Sequence, residues 1–210
     1  MSAGRRLETI QVAGRDRARS PGDSGPAPNG PVFYFDLAHP DCYLAAERIT
    51  QQLPVVAEWE PVYGPELGIT PPPLDTGALA DAARRAGLLP LRAPANWPPD
   101  SRLAMLTATY AKAGGKTVAF SLAAFRQTFA GGRDLGDEGT VLIAAAACEM
   151  HPRAVLKGVA IRSVTEALQR ACDRATAVGV RALPAIQTRG VLFEGPHAVQ
   201  RAAVALRDAR

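Results

Sequence analysis

From residue 32 onward the chain switches between two hydrophobic rhythms. Val32-Phe33-Tyr34-Phe35 is a short, continuous apolar run of β-prone residues, the pattern of a strand buried on both faces. After a loop over residues 36–40, apolar residues fall at Cys42, Ala45, Ala46, Ile49 and Leu53, which is helical spacing. Pro40 suits the first turn of that helix and Asp41 its positive end, and Pro54 stops it. Residues 55–62 read as a second strand. A strand, a helix and a strand joined by short connections form a βαβ unit, so the two strands are expected to be parallel.

The middle of the chain is helical in pattern. A Pro-rich loop over 64–73 leads to a short helix over 76–86, ended by Gly87. A second Pro-rich connection, 88–99, precedes Ala-rich helices over 101–113, 118–130 and 139–150, separated by Gly114-Gly115 and Gly131-Gly132. Residues 162–178 form a longer helix with an apolar line at Val164, Leu168, Ala171, Ala175 and Val178. Beyond Gly179 the rhythm returns to strands. Residues 183–188 and 191–194 pair through the tight turn Arg189-Gly190. A last helix carries Val199, Ala202, Ala203 and Leu206 on one face. No internal repeat is present. The order βαβ, helical block, ββα predicts an α/β protein: a mixed sheet with helices on both faces and an all-helical insertion.

Composition narrows the picture little. The chain has 210 residues, 47% hydrophobic and 21% charged, enough for one good core. Residues 1–31 are rich in Gly, Pro, Ser and Arg and are expected to be a disordered tail. They carry Arg5, Arg6, Arg15, Arg17 and Arg19 against Glu8, Asp16 and Asp23, half of the overall net charge of +4. The body has no basic cluster, which argues against nucleic acid as a partner. No run reaches the roughly 20 apolar residues of a membrane helix, and no apolar stretch follows Arg5-Arg6 as in a signal peptide, so a cytoplasmic protein is expected. Cys42, Cys148 and Cys172 include no CxxC pair and no zinc spacing, so no metal site is expected. Helical spacing places all three as small core residues.

Several segments, taken in order, resemble the DsbA family, and within it the 2-hydroxychromene-2-carboxylate isomerase branch, with kappa-class glutathione transferases as relatives. Phe33-Tyr34-Phe35-Asp36-Leu37-Ala38-His39-Pro40-Asp41-Cys42-Tyr43-Leu44-Ala45 is similar to that branch's strand, active-site loop and first helix. Trp59-Glu60-Pro61-Val62 is similar to its second strand, and Trp97-Pro98-Pro99-Asp100-Ser101 to the entry into its inserted helices. Residues 125–135 resemble the middle of those helices. Gly179-Val180-Arg181-Ala182-Leu183-Pro184 and Leu192-Phe193-Glu194-Gly195 resemble the family's ending. The resemblance covers about residues 32–206. It implies a thioredoxin-like domain made of residues 32–74 and 179–210, with a helical insertion over 75–178.

It also implies a chemistry. A dithiol oxidoreductase of this plan needs a Cys at the start of the first helix, where dipole and free amides lower its pKa, and a second Cys three positions on. Here those four positions are His39, Pro40, Asp41 and Cys42, so one thiol is missing and ordinary dithiol exchange is excluded. In the isomerase and transferase branch the first position instead steadies the sulfur of bound glutathione. By resemblance, His39 becomes a thiolate stabiliser or general base. Pro184 becomes the family's cis-proline, and the Leu183 backbone beside it, with Pro40, becomes a cofactor-binding element. The expected cofactor is glutathione or another low-molecular-weight thiol, and the partner a small aromatic or electrophilic substrate. A homodimer is expected by resemblance alone. Two other readings stay open: a non-catalytic protein binding a ligand or peptide in the same groove, and a monothiol redox protein acting through Cys42. His151 and His197 are expected at helix starts on the surface. After Gly195 the branch's frequent acidic residue is replaced by Pro196 and His197.

Overall fold

The computed structural model describes residues 30–208, so the tail expected over residues 1–31 lies almost wholly outside them. The described chain builds a four-stranded sheet in the order β2-β1-β3-β4. β1 (Val32–Phe35) and β2 (Glu58–Pro61) are parallel, with Phe33 opposite Trp59 and Phe35 opposite Pro61. β3 (Ala185–Thr188) runs antiparallel to β1, pairing Tyr34 with Ala185, and β4 (Val191–Glu194) runs antiparallel to β3. The expected mixed sheet and parallel βαβ unit are both present.

Alternation along β1 sorts its side chains onto two faces. Phe33 and Phe35 point one way and stack at 5.3 Å, with the Trp59 ring edge-on to both at 5.1 and 5.5 Å. The cluster continues into the helices. Phe125 of α5 (Thr117–Phe129) reaches Phe35 at 6.1 Å, and Tyr43 of α1 (Pro40–Ala46) stacks on Phe129 at 5.2 Å. Each such ring pair adds about 0.5–1.5 kcal/mol beyond its buried area. Tyr34 points to the opposite face. There β2 presents Glu60 to Lys112 of α4 (Arg102–Ala113) and to Arg174 of α8 (Arg162–Ala177). The sheet is therefore covered on both sides.

The first helix is broken. α1 ends at Ala46, and α2 (Ile49–Gln52) begins after a tight turn at Glu47-Arg48. The Arg48 side chain turns back and donates to the Leu44 carbonyl at 2.7 Å, so the break is satisfied locally. The second strand is shorter than its apolar run. β1 supplies only four partners, and Val56 at 92% exposure lies beyond the ladder. Between β2 and β3 all regular structure among the described residues is helical. A 3-10 turn (Gly64–Leu67) is followed by α3 (Thr76–Arg85), then α4, α5 and α6 (Glu138–Ala146). α6 stops four residues before the periodicity does, because Glu149 takes a positive φ of 58°. Cys148 consequently lies past the helix end, half-buried against the core. α7 (Pro152–Val159) is an element the hydrophobic pattern did not reveal. His151 caps it by accepting from the Arg153 amide at 3.2 Å, and Pro152 opens it. α9 (Ala198–Asp208) closes the chain against β3 and β4. No helix among the described residues is long and apolar enough to cross a membrane.

Candidate functional site

Four connections meet at one end of the sheet. Because β1 and β2 are parallel, the loops after Phe35 and after Pro61 emerge together, and the Val62 amide donates to the Phe35 carbonyl at 3.0 Å. Because β3 is antiparallel and pairs Ala185 with Tyr34, Leu183 and Pro184 arrive at that same end. β4 leaves there too, since Glu194 is opposite Ala185. The Leu183–Pro184 peptide bond is cis, as is Trp97–Pro98.

The loop after β1 is held by Asp36. Its carboxylate accepts from the Ala38 amide at 2.9 Å and from the Gly64 amide at 2.8 Å, with the Ser101 hydroxyl as a third favourable partner. The first bond is the side-chain turn that Asp forms with the amide two residues on. The second ties the loop to the 3-10 turn, and the third to the start of α4. The Leu37 amide adds a contact to Sδ of Met105, also on α4, at 3.3 Å. Asp36 is almost fully buried, and burial raises its carboxyl above the ordinary range against these donors. The sequence quoted Asp36 within a motif but gave it no role. Its position directly after a strand and two residues before a free amide was the available signal.

His39 sits at the N-terminal boundary of α1 in extended conformation (φ −95°, ψ 121°) and makes no capping bond through its ring. It is only 3% exposed, and its Nε2 is buried with no hydrogen-bond partner. Gly64 lies beside the ring: a Cβ built there would be in ordinary contact with His39 Nε2 at 3.5 Å but only 2.7 Å from the Ile69 carbonyl oxygen, and that approach to backbone requires glycine. Burial lowers the His39 pKa, opposed by the nearby carboxylates of Asp36 and Asp41, and favours neutral imidazole. Neutral imidazole has one N–H and one acceptor nitrogen, so the ring can either donate to a sulfur or take its proton.

Pro40 is buried at the first position of α1, and Asp41 beside it is half-buried, its carboxyl raised by burial. A cleft of about 480 Å³ opens along α1 from Asp41 past Leu44 and Arg48, closed on the far side by Arg85 of α3 and by His197 and Gln200. A smaller cavity of about 190 Å³ adjoins Pro40 and Leu44 beneath Pro72 and Leu79. His197 and His151 are exposed, as expected.

Cys42 is not at this surface. It is fully buried, and desolvation pushes its thiol well above the usual cysteine value. A mixed disulfide needs an accessible thiolate, so the redox route through Cys42 has no sulfur to start from in this conformation. Cys172 is buried too. Its sulfur accepts from the Tyr63 amide at 3.3 Å, and burial pushes it up to about 12. All three cysteines are free. Among the described residues no cluster could hold a metal ion.

Sheet order, strand directions and the loop carrying His39-Pro40 beside a strand-opening cis-proline define a protein of thioredoxin fold. Residues 32–207 match the model of the DSBA-like thioredoxin domain, and the chain belongs to that family. Solved structures agree at low identity. A 2-hydroxychromene-2-carboxylate isomerase superposes with a TM-score of 0.73 at 18% identity, covering 85% of this chain and 95% of the isomerase. A probable DsbA oxidoreductase from Streptomyces coelicolor gives 0.67 at 17%, covering 85% and 88%. The cytosolic disulfide reductase DsbM from Pseudomonas aeruginosa, solved with GSH, gives 0.59 at 14%, covering 85% and 97%. No curated protein sequence matches the chain.

Proposed function

We propose that this protein binds a low-molecular-weight thiol, glutathione or a similar molecule, and uses it on a small aromatic or electrophilic substrate in an isomerisation or transfer. The observation that carries this reading is the His39 ring: a buried imidazole nitrogen without a partner, at the helix start where the fold presents its reactive group. Buried polar atoms are nearly always paired; of the four left open among the described residues, with Gln52 Oε1, Ser121 Oγ and Gln200 Oε1, the His39 nitrogen is the one at the start of α1. The S–H of a thiol suits it, as does the thiolate. The structures of relatives add weight, one being an isomerase and another having been solved with GSH.

A bound thiol would supply a sulfur nucleophile that this chain lacks at the start of α1, where Cys42 is buried. The protein's own part is to bind and to move a proton. Neutral His39 accepts the S–H proton at its free ring nitrogen and returns it when the sulfur is released. Asp36 fixes the loop that aims the ring, and as a carboxylate it favours the imidazolium that forms. The Leu183 backbone and Pro40 would hold the thiol, and the cleft beside Asp41 would take the remainder of the ligand.

One observation favours a second reading. His39 is 97% covered, as expected of a site whose groove binds a ligand without chemistry. Calorimetric titration of the reduced protein with glutathione, cysteine and 2-mercaptoethanol, beside His39→Ala, separates the two. Binding that weakens at least about ten-fold in the variant supports the thiol-dependent enzyme. Absence of binding by all three thiols removes it and leaves the non-catalytic binding protein.

A further inference from the structure

Three residues separate Val180, at the end of the α8 connection, from Pro184, and this short segment carries the Leu183 backbone assigned above to the thiol. Its neighbours are held by a single side chain from another strand. Oε1 of Glu194, the last residue of β4, accepts from the Arg181 amide at 2.6 Å and from the Ala182 amide at 2.8 Å. On the far side of Leu183, the Gly195 amide donates to the Pro184 carbonyl at 2.8 Å. The clamp is itself anchored. The Arg201 guanidinium of α9 donates to the Glu194 carbonyl, and Gly195 turns the chain into α9 with a φ of 80°. Leu183 lies between these fixed points, and its own N–H and C=O make no hydrogen bond among the described residues.

A carboxylate oxygen that accepts two consecutive amides is a charge-assisted contact, stronger than the neutral pairings of a ladder. The amides it ties down lie outside the sheet, where nothing else fixes them. Packing of β4 does not need this carboxylate, since the strand is held by its ladder to β3 and by α9. We infer that Glu194 is a positioning residue: it presents the Leu183 backbone to the ligand and acts on binding through Leu183, not by touching the ligand. The inference rests on the thiol-binding reading of the site.

Glu194→Ala and Glu194→Gln are the variants, and two readouts keep the inference separable from that reading. The first is amide hydrogen exchange in the ligand-free protein. In Glu194→Ala the segment 181–183 is expected to exchange at least about ten-fold faster, the size expected for loss of two bonds to a charged acceptor, while β1 and β3 amides stay protected. In Glu194→Gln, which keeps one amide oxygen in place, protection is expected to return in large part. The second is the calorimetric affinity for reduced glutathione. Glu194→Ala is expected to weaken it about ten-fold, and Glu194→Gln to recover most of the loss. Unchanged exchange at 181–183 in Glu194→Ala overturns the clamp. Accelerated exchange with unchanged glutathione affinity overturns the positioning role. Faster exchange across the whole sheet in both variants makes Glu194 a general structural residue and overturns the inference as well. If the wild-type protein binds no glutathione, the positioning role falls with the thiol reading, and the exchange data alone report the clamp.

Discussion

Two ionisable side chains are buried to nearly the same depth on neighbouring segments of this fold, and the protein satisfies one and not the other. Glu60 on β2 is 6% exposed, and its carboxylate meets Lys112 Nζ at 2.8 Å and Arg174 Nη2 at 3.1 Å. Lys112 is shared with Glu58, also at 2.8 Å. The Tyr34 hydroxyl beside this network donates to Gln187 at 3.1 Å, and burial with the Glu60 charge pushes its pKa up to about 12. His39 is 3% exposed and has a ring nitrogen with nothing to bond. The first region is closed by its own partners and holds α4 and α8 to the sheet. The second is fixed at the backbone by Asp36 but left open at the side chain. Burial alone therefore does not tell these two groups apart; pairing does, and among the described residues the His39 nitrogen shares its unpaired state with Gln52 Oε1, Ser121 Oγ and Gln200 Oε1.

Four outcomes test that contrast, from the largest effect to the smallest. Asp36→Ala strips the partner from two buried amides and from Ser101. It is expected to cost about 3 kcal/mol or more, read by urea unfolding, and to abolish thiol binding with it. A loss under about 1 kcal/mol would show that the loop does not depend on this carboxylate. Glu60→Ala removes the shared acceptor of Lys112 and Arg174. Both cations retain solvent access, so the expected cost is about 1–2 kcal/mol, below the 3–5 kcal/mol of fully buried pairs. Thiol affinity is expected to stay at the wild-type value, and a drop there would erase the contrast between the regions.

The third outcome concerns pH. Burial holds His39 below the ordinary histidine value of about 6.5, so as pH falls below that value the unfolded chain takes up a proton the folded chain refuses. Stability is therefore lost on acidification, down to the folded-state pKa, at about 1.4 kcal/mol per unit of displacement. Asp36 acts in the opposite sense, because burial raises it and the folded chain keeps a proton that the unfolded chain releases above about pH 3.9. Between pH 7 and 5.5 the wild-type protein is expected to lose more stability than His39→Asn, measured by chemical denaturation at each pH. Parallel curves would show that His39 is not held neutral by the fold. The smallest effect is chemical. Iodoacetamide at pH 8 is expected to label Cys148, which is half-buried, and to leave Cys42 and Cys172 intact until denaturant is added. Peptide mapping that finds Cys42 labelled in the native protein would restore the monothiol route.

Among the described residues the pattern of apolar residues located every strand and the helices other than α7, with α1 and α2 read as one, because a buried face repeats with the period of its element. It overran at Val55-Val56 and beyond Ala146, where the limit is set by the length of the neighbouring strand and by one residue of positive φ. Of α7 only the start was legible, with His151 expected at a helix start and found as its cap. At the site, the sequence singled out His39, Pro40 and Leu183-Pro184. Sheet register places those two segments at one end of the fold. It did not single out Asp36, Gly64, Ser101 or Glu194, whose importance lies in bonds to residues distant in the chain, spanning 28, 12 and 13 residues for Asp36 and Glu194, or in a close approach to backbone.

The sequence by itself determined the order of elements, the family they belong to, and the absence of a dithiol motif at the start of the first helix. The element order and the missing dithiol motif are local properties of spacing, and the family follows from the resemblance of its motifs. The tertiary structure decided how completely Cys42 is buried, that Glu60 Oε2 meets both Lys112 and Arg174, and that the His39 ring nitrogen meets no partner. Each of those depends on which distant backbone or side chain fills the space around an atom, and that is fixed only when the sheet closes and α4, α8 and the 3-10 turn pack against it.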